Sequence, residues 1–180
     1  MDFGLGNNFG TTSKTFGGSK NIWQYIGQGF PVGGTVSNLS NYDSGDIIPS
    51  GSMAILDTVA NTVEILKIPS FDATKTYALN DEVVYSGVAY KCSTAITAAA
   101  AWDASKWTAL KAGDATYDKL LKVNGLTQND VVVDDSAKST TGNATERVIF
   151  DGIIYSSRLI YEVPDVVWNN LAKITQYKEA

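Results

Sequence analysis

The sequence predicts a mainly β chain of two unequal units, a small self-contained β module lodged inside a second β domain that ends in one short helix. Three observations carry this prediction. The apolar runs are short, alternate with polar residues and are bounded by Gly, Pro, Asn and Asp, which is the pattern of half-buried strands. Residues 69–111 contain their own hairpin signal and their own aromatic residues, whereas the segments on either side read as two halves of one other domain. Helical spacing is clear only near the C-terminus.

Residues 1–46 are rich in Gly, Asn, Ser and Thr, with apolar content concentrated in Ile22-Trp23-Gln24-Tyr25-Ile26 and Phe30-Pro31-Val32. Such a composition is too polar to order itself, so the segment reads as an extended arm, either flexible or ordered by lying on a partner, and four large apolar residues within eight positions favour the second. Trp23, Tyr25, Ile26 and Phe30 are its anchors. Compact β structure begins at Asp46. Ile47-Ile48-Pro49-Ser50-Gly51-Ser52 makes a turn-bearing entry, and Met53-Ala54-Ile55-Leu56 and Val63-Glu64-Ile65-Leu66-Lys67-Ile68 are two strands joined closely enough for a hairpin.

Pro69-Ser70 ends that strand and opens the module. Val83 and Tyr85 alternate, Ser86-Gly87 is a turn signal, and Val88, Tyr90 and Cys92 alternate again, which predicts a two-residue hairpin with Gly at a positive φ. Tyr77 stands upstream, and Trp102 and Trp107 follow an alanine-rich connection. A unit of about 40 residues has little interior, so its aromatic residues carry most of its packing. Trp107 is read first as core, and Trp102, beside the alanine run, as either core or exposed.

Beyond the module, Tyr117-Asp118-Lys119-Leu120-Leu121 is ambiguous between strand and helix. Lys122-Val123-Asn124-Gly125-Leu126-Thr127 turns into Asp130-Val131-Val132-Val133-Asp134, and Asp151-Gly152 predicts a hairpin between Glu146-Arg147-Val148-Ile149-Phe150 and Ile153-Ile154-Tyr155. Residues 136–144 are a Ser/Thr/Gly/Asn loop. Pro164-Asp165 opens a short helix with Val167 and Leu171 on one face, and Lys173-Ile174-Thr175-Gln176-Tyr177 forms a last strand.

Composition narrows the chemistry. The chain has 180 residues, a hydrophobic fraction of 44%, and 14 basic against 19 acidic residues for a net charge of −5. With no basic run, neither nucleic acid nor an anionic membrane is an expected partner, and membrane insertion is not expected. Histidine is absent and cysteine occurs once, which removes His-based catalysis, Cys/His zinc sites and an internal disulfide. The opening Met1-Asp2-Phe3-Gly4-Leu5-Gly6 lacks the features of a signal peptide, so synthesis in a cytoplasm is expected. The acidic group Asp130, Asp134 and Asp135 lacks the spacing of a calcium loop and reads as solvated strand ends. The glycines at 4, 6, 17 and 18 do not form a phosphate loop. Asp81 and Glu82 are adjacent, so in a strand they face opposite ways and do not make an acid/base pair. Cys92 reads as a small buried side chain. The expectation is a binding protein without metal, cofactor or catalytic residues.

Two family resemblances add to this reading. The order Tyr77, Asp81, Val83, Tyr85, Gly87, Tyr90, Trp107 resembles the small carbohydrate-binding modules of bacterial chitinases, with Asn80 where that family has Gly and residues 95–101 in place of a Gly- and Pro-bearing loop. The resemblance implies a three-stranded β module that binds glycan, with Tyr85, Tyr90, Trp102 and Trp107 as candidate glycan contacts through stacking of exposed rings on a pyranose face. The host segments resemble the head decoration proteins of tailed bacteriophages through Ile48-Pro49-Ser50-Gly51, Leu56-Asp57, Asn124-Gly125-Leu126, Asn129-Asp130-Val131, Val148 to Asp151-Gly152, and Tyr155 with Arg158-Leu159, all in family order. That resemblance implies a small β-barrel- or β-sandwich-like decoration domain over 47–68 plus 112–180, interrupted by the module at 69–111 and preceded by a capsid-binding arm at 1–46. It further implies a head fibre on the virion surface, a major capsid protein as partner, self-association as a homotrimer or dimer, and capsid contact by Trp23, Tyr25, Ile26, Phe30, Ile48 and Pro49. Arg158 is then a structural or intersubunit ion-pair residue. A host-cell or mucosal glycan would be the module's ligand. The alternative is a bacterial carbohydrate-binding accessory protein.

Overall fold

A computed structural model describes residues 21–30, 33–133 and 145–177. Among them the chain is mainly β, with an eight-stranded curled sheet, a two-stranded ribbon, a separate three-stranded sheet and two short α-helices. The earlier part of the predicted arm, its Pro31-Val32 pair, the candidate phosphate-loop glycines, Asp134, Asp135 and the 136–144 loop lie outside the described residues.

The large sheet is organised around its longest strand. In chain order its strands are β1 (Trp23–Gly29), β2 (Gly34–Val36), β4 (Met53–Asp57), β5 (Thr62–Leu66), β9 (Gly125–Thr127), β11 (Thr145–Glu146), β12 (Val148–Tyr155) and β13 (Ile174–Tyr177). The ribbon pairs β3 (Ile47–Ile48) with β10 (Val131–Val132). One edge of β12 pairs with β1; the other is shared between β9, opposite Val148 and Ile149, and the parallel β13, opposite 152–155. From β9 the sheet passes through β4, β5 and β2 to β11. Only Arg147 separates β11 from β12, so the run that ends the sheet at β2 continues directly into the strand that pairs with β9. The sheet therefore curls into a half-barrel.

Strand alternation divides the interior into two cores. Ala54, Leu56, Val63, Ile65 and Val148 pack with Val36, Leu39, Tyr42, Ile48 and Val133. Met53, Leu126, Ile149 and Ile154 point the other way. They meet Leu120 of α1 (Ala115–Leu120), Val167 of α2 (Asp165–Asn170), Leu171 and Ile174. Tyr42 donates its hydroxyl to the Ile65 carbonyl at 3.1 Å, and its burial raises the phenol to about 12. The hairpin from β4 to β5 forms as predicted. Asn61 takes φ 55°, and the Asp57 carboxylate accepts the Val59 and Ala60 N–H groups at 2.9 Å.

Three sequence expectations are corrected here. The first is the Asp151-Gly152 hairpin: residues 148–155 form one continuous strand. Gly152 is buried mid-strand because β1 crosses closely there; a Cβ at Gly152 would lie 2.6 Å from the Tyr25 carbonyl and 3.3 Å from the Trp23 ring. The glycine serves close approach, not a turn. The second is the arm, whose described residues do not stand apart from the domain. Residues 23–29 and 34–36 are strands of the sheet, ordered by main-chain pairing that composition does not register.

The third correction concerns capsid contacts. Trp23 and Ile48 are buried in this chain's own cores, Pro49 is buried, and Ile26 and Phe30 are half-buried, so these side chains are not a free anchoring set. Tyr25 alone of the six is well exposed, at 59%. The segment around Tyr117, ambiguous in sequence between strand and helix, is helical and buries Leu120. Asp130 accepts the Ser50 N–H at 2.7 Å. Arg158 donates to the Asn21 carbonyl at 2.8 Å and lies 3.9 Å over the Tyr155 ring.

Two measurements test this packing. Gly152→Ala is expected to destabilise the chain by about 1–3 kcal/mol through overpacking against β1, read as a lowered denaturation midpoint. Glu146 is buried and accepts the Gln128 and Asn129 N–H groups at 2.9 and 2.8 Å, yet burial outweighs these bonds and raises its carboxyl above the ordinary value of 4.5. The folded chain then holds this proton to higher pH than the unfolded chain, so stability falls as pH rises through the shifted value. Glu146→Gln keeps an acceptor oxygen and removes the charge. Its melting temperature is expected to exceed the parent's near neutral pH, by a margin that shrinks toward about pH 4.5.

Candidate functional site

The three-stranded sheet consists of β6 (Glu82–Tyr85), β7 (Val88–Cys92) and β8 (Trp107–Ala109). The β6–β7 connection is the predicted two-residue turn, with Ser86 at φ 50° and Gly87 at φ 79°. Register pairs Val83 with Tyr90, Val84 with Ala89, and Cys92 with Trp107, so alternation fills both faces. Val84, Ala89 and Leu110 enter the host core beside Leu120, Val163, Val167 and Leu171. Val83, Cys92 and Trp107 pack with Tyr77 and Ile96 as the module's own core.

Polar contacts fix the module to its host. The Gly87 N–H donates to Glu162, the Asp165 N–H donates to the Gly87 carbonyl at 2.8 Å, and the Glu162 N–H donates to the Ser70 hydroxyl at 3.0 Å. A Cβ at Gly87 would meet the Asp165 carboxylate at 2.6 Å, so this turn needs glycine for both its φ and its neighbour. Thr116 of α1 donates to Glu82 at 2.7 Å. The hairpin tip is thus held against the start of α2, and the aromatic face is the one turned away from the host core.

On that face six rings converge. Tyr85 stacks on Trp102 with centroids 4.1 Å apart and planes 13° apart, and Trp102 stacks on Trp107 at 5.2 Å and 12°. Tyr90 meets Trp102 edge-on at 4.8 Å. Phe71 touches Tyr77, Tyr85, Trp102 and Trp107 at centroid distances from 5.1 to 5.9 Å. Tyr85, Tyr90 and Trp102 are half-buried, whereas Trp107 is only 6% exposed. The arrangement is a small ring platform with a structural tryptophan beneath it.

The loops that carry Phe71 and Trp102 are each pinned by the next residue. Asp72 accepts the Thr74 hydroxyl at 2.6 Å and its N–H at 2.9 Å; Asp103 accepts the Ser105 hydroxyl at 2.7 Å and its N–H at 3.0 Å. These hydroxyl donors hold both carboxyls below the ordinary aspartate value, so both are anionic at neutral pH. Asp81 likewise accepts the Ala78 N–H at 2.7 Å, which gives it a turn-forming role. Asn80, where the resembling family has glycine, adopts φ 72°, and Asn is among the side chains that tolerate this region best.

The structure therefore brings Tyr85, Tyr90, Trp102 and Trp107 into one cluster and places Trp107 in its core. Exposed ring area and two phenol hydroxyls are what a pyranose face and its hydroxyl groups match. Sequence reasoning missed Phe71. Its signal was an aromatic two residues past Pro69, at a point read only as a strand stop. Cys92 is buried at 1% exposure and its thiol donates to the Thr94 carbonyl at 3.1 Å. Among the described residues no cluster of three or more His, Cys, Asp or Glu side chains is arranged to hold a metal ion.

Trp107→Ala is expected to destabilise the chain by about 3–5 kcal/mol, because it removes the ring on which Trp102, Tyr77 and Phe71 rest. Loss of near-ultraviolet circular dichroism on heating, compared with the parent, measures it. No curated protein and no solved structure matches the chain. Residues 70–114 match the family model for Carbohydrate-binding module family 5/12, so this segment is carbohydrate-binding-module-like.

Proposed function

We propose that the chain binds glycan through this ring platform and that the host domain displays the module on a bacteriophage head as a decoration or head fibre protein. The observation that carries the glycan reading is the coincidence of the matched segment, 70–114, with a half-exposed aromatic cluster facing away from the host. Tyr85, Tyr90 and Trp102 are the proposed sugar contacts, by ring stacking and phenol hydrogen bonds. Trp107 supports them from below. Each such contact is weak alone, and repetition over a capsid lattice raises the avidity.

The ordered series of turn motifs through the host domain, from Ile48-Pro49-Ser50-Gly51 to Arg158-Leu159, supports the virion reading. It carries with it self-association as a trimer and the major capsid protein as partner. Since Trp23, Ile48 and Pro49 lie inside the fold, capsid contact falls to surfaces other than those side chains. Binding is the whole mechanism in this reading, with no turnover and no cofactor.

The glycan reading is tested by sedimentation with insoluble chitin and cellulose and by a glycan array. The parent chain is expected to be retained on at least one polysaccharide, and Tyr85→Ala to weaken retention by about tenfold. A parent that binds none of them refutes it. Co-sedimentation with undecorated heads, together with light scattering for a discrete trimer, tests the virion reading. Glycan binding without head binding would instead identify a carbohydrate-binding accessory protein.

A further inference from the structure

A groove of about 370 Å³ lies on the host domain along the first strand of the sheet. Its polar lining side chains are all carboxamides, Asn21, Gln24, Gln128 and Asn129, joined by the Tyr25 phenol, which is 59% exposed. Among the described residues no charged side chain lines it, although the chain as a whole carries a net charge of −5. No module residue contributes to it.

The groove is built, not incidental. Trp23 forms its floor, lying against Gly152, where the missing side chain leaves room for the ring, and donating its Nε1–H to the Thr127 carbonyl at 3.3 Å. The main chain of Gln128 and Asn129 is held from beneath by the buried Glu146 carboxylate.

The chemistry selects the occupant. A carboxamide is both donor and acceptor, as a hydroxyl is, and an exposed phenol ring adds an apolar face with a polar end. A charged ligand would meet no charged side chain among the described lining residues, and the nearby Arg158 guanidinium is engaged with the Asn21 carbonyl and the Tyr155 ring. A peptide adding to the β1 edge would meet repeated register shifts, at Trp23/Tyr25, Ile26/Gln28 and Gln28/Gly29, which interrupt the ladder that strand addition needs. We infer that this groove is a second saccharide site, for a neutral, hydroxyl-rich chain, on the host domain and independent of the module. Two sites on one rigid chain would let a single polysaccharide engage both.

The test is a nitrogen–proton correlation spectrum of the full chain, side-chain amides included, titrated with neutral hexasaccharides: cellohexaose, maltohexaose, chitohexaose and mannohexaose. Millimolar addition of at least one probe is expected to shift the Gln24, Gln128 and Asn129 amide pairs. Tyr25→Ala is expected to weaken those shifts by about tenfold while its spectrum otherwise stays that of the folded parent. Shifts that persist in Tyr85→Ala support the groove whether or not the module binds sugar. Three outcomes overturn the proposal: no shift with any probe, shifts lost in Tyr85→Ala but kept in Tyr25→Ala, or shifts produced by phage heads and by no saccharide.

Discussion

Burial of the three-stranded sheet on both faces is the constraint on which the site depends. A sheet this small gains little from one face, and its own core of Tyr77, Val83, Cys92, Ile96 and Trp107 covers only one. The other face is completed by Val84, Ala89 and Leu110 entering the host core, and the Gly87 turn is clasped by Glu162 and Asp165. Anchoring one face commits the rings to the other. The platform therefore has a fixed direction relative to the host, and its half-exposed rings meet a ligand without first being ordered by it.

The host achieves a comparable economy through β12. One strand pairs with β1, β9 and β13, and it is the direct continuation of β11. That convergence is crowded, and Gly152 is where the crowding is relieved: β1 comes close and the Trp23 ring crosses to reach Thr127. The carboxamide groove is a consequence of the same crossing, since its floor is that ring. Glu146, buried beside this junction, holds Gln128 and Asn129 in place at an electrostatic cost that its raised carboxyl records.

Much of this was legible in the chain, wherever the signal was local. Ser86-Gly87 between alternating residues, Asp57 to Thr62 between two apolar runs, and Pro164-Asp165 before Val167 and Leu171 each specify a turn or a helix start with nearby residues alone. The four aromatic candidates meet because alternation places Tyr85, Tyr90 and Trp107 on one face of one small sheet. Asp151-Gly152 shows the limit: the same dipeptide that makes a hairpin elsewhere sits mid-strand here, because a distant strand needs the space above it. Phe71 and the 22–30 segment failed for the same reason, as their partners are remote in sequence.

By itself the sequence determined a mainly β chain, the small aromatic module with its turn, the terminal helix and strand, and a residue inventory without histidine. Those follow from period-two alternation and from the backbone preferences of Gly, Asn, Asp and Pro, which act over a few residues. Only the tertiary structure decided that Trp23 and Ile48 are core, that Tyr85, Tyr90 and Trp102 face outward over Trp107, and that carboxamides about a hundred residues apart line one groove. Pairing partners and face assignments are chosen by contacts between segments a hundred residues apart, such as Trp23 with Thr127 at a separation of 104, and no local preference encodes them.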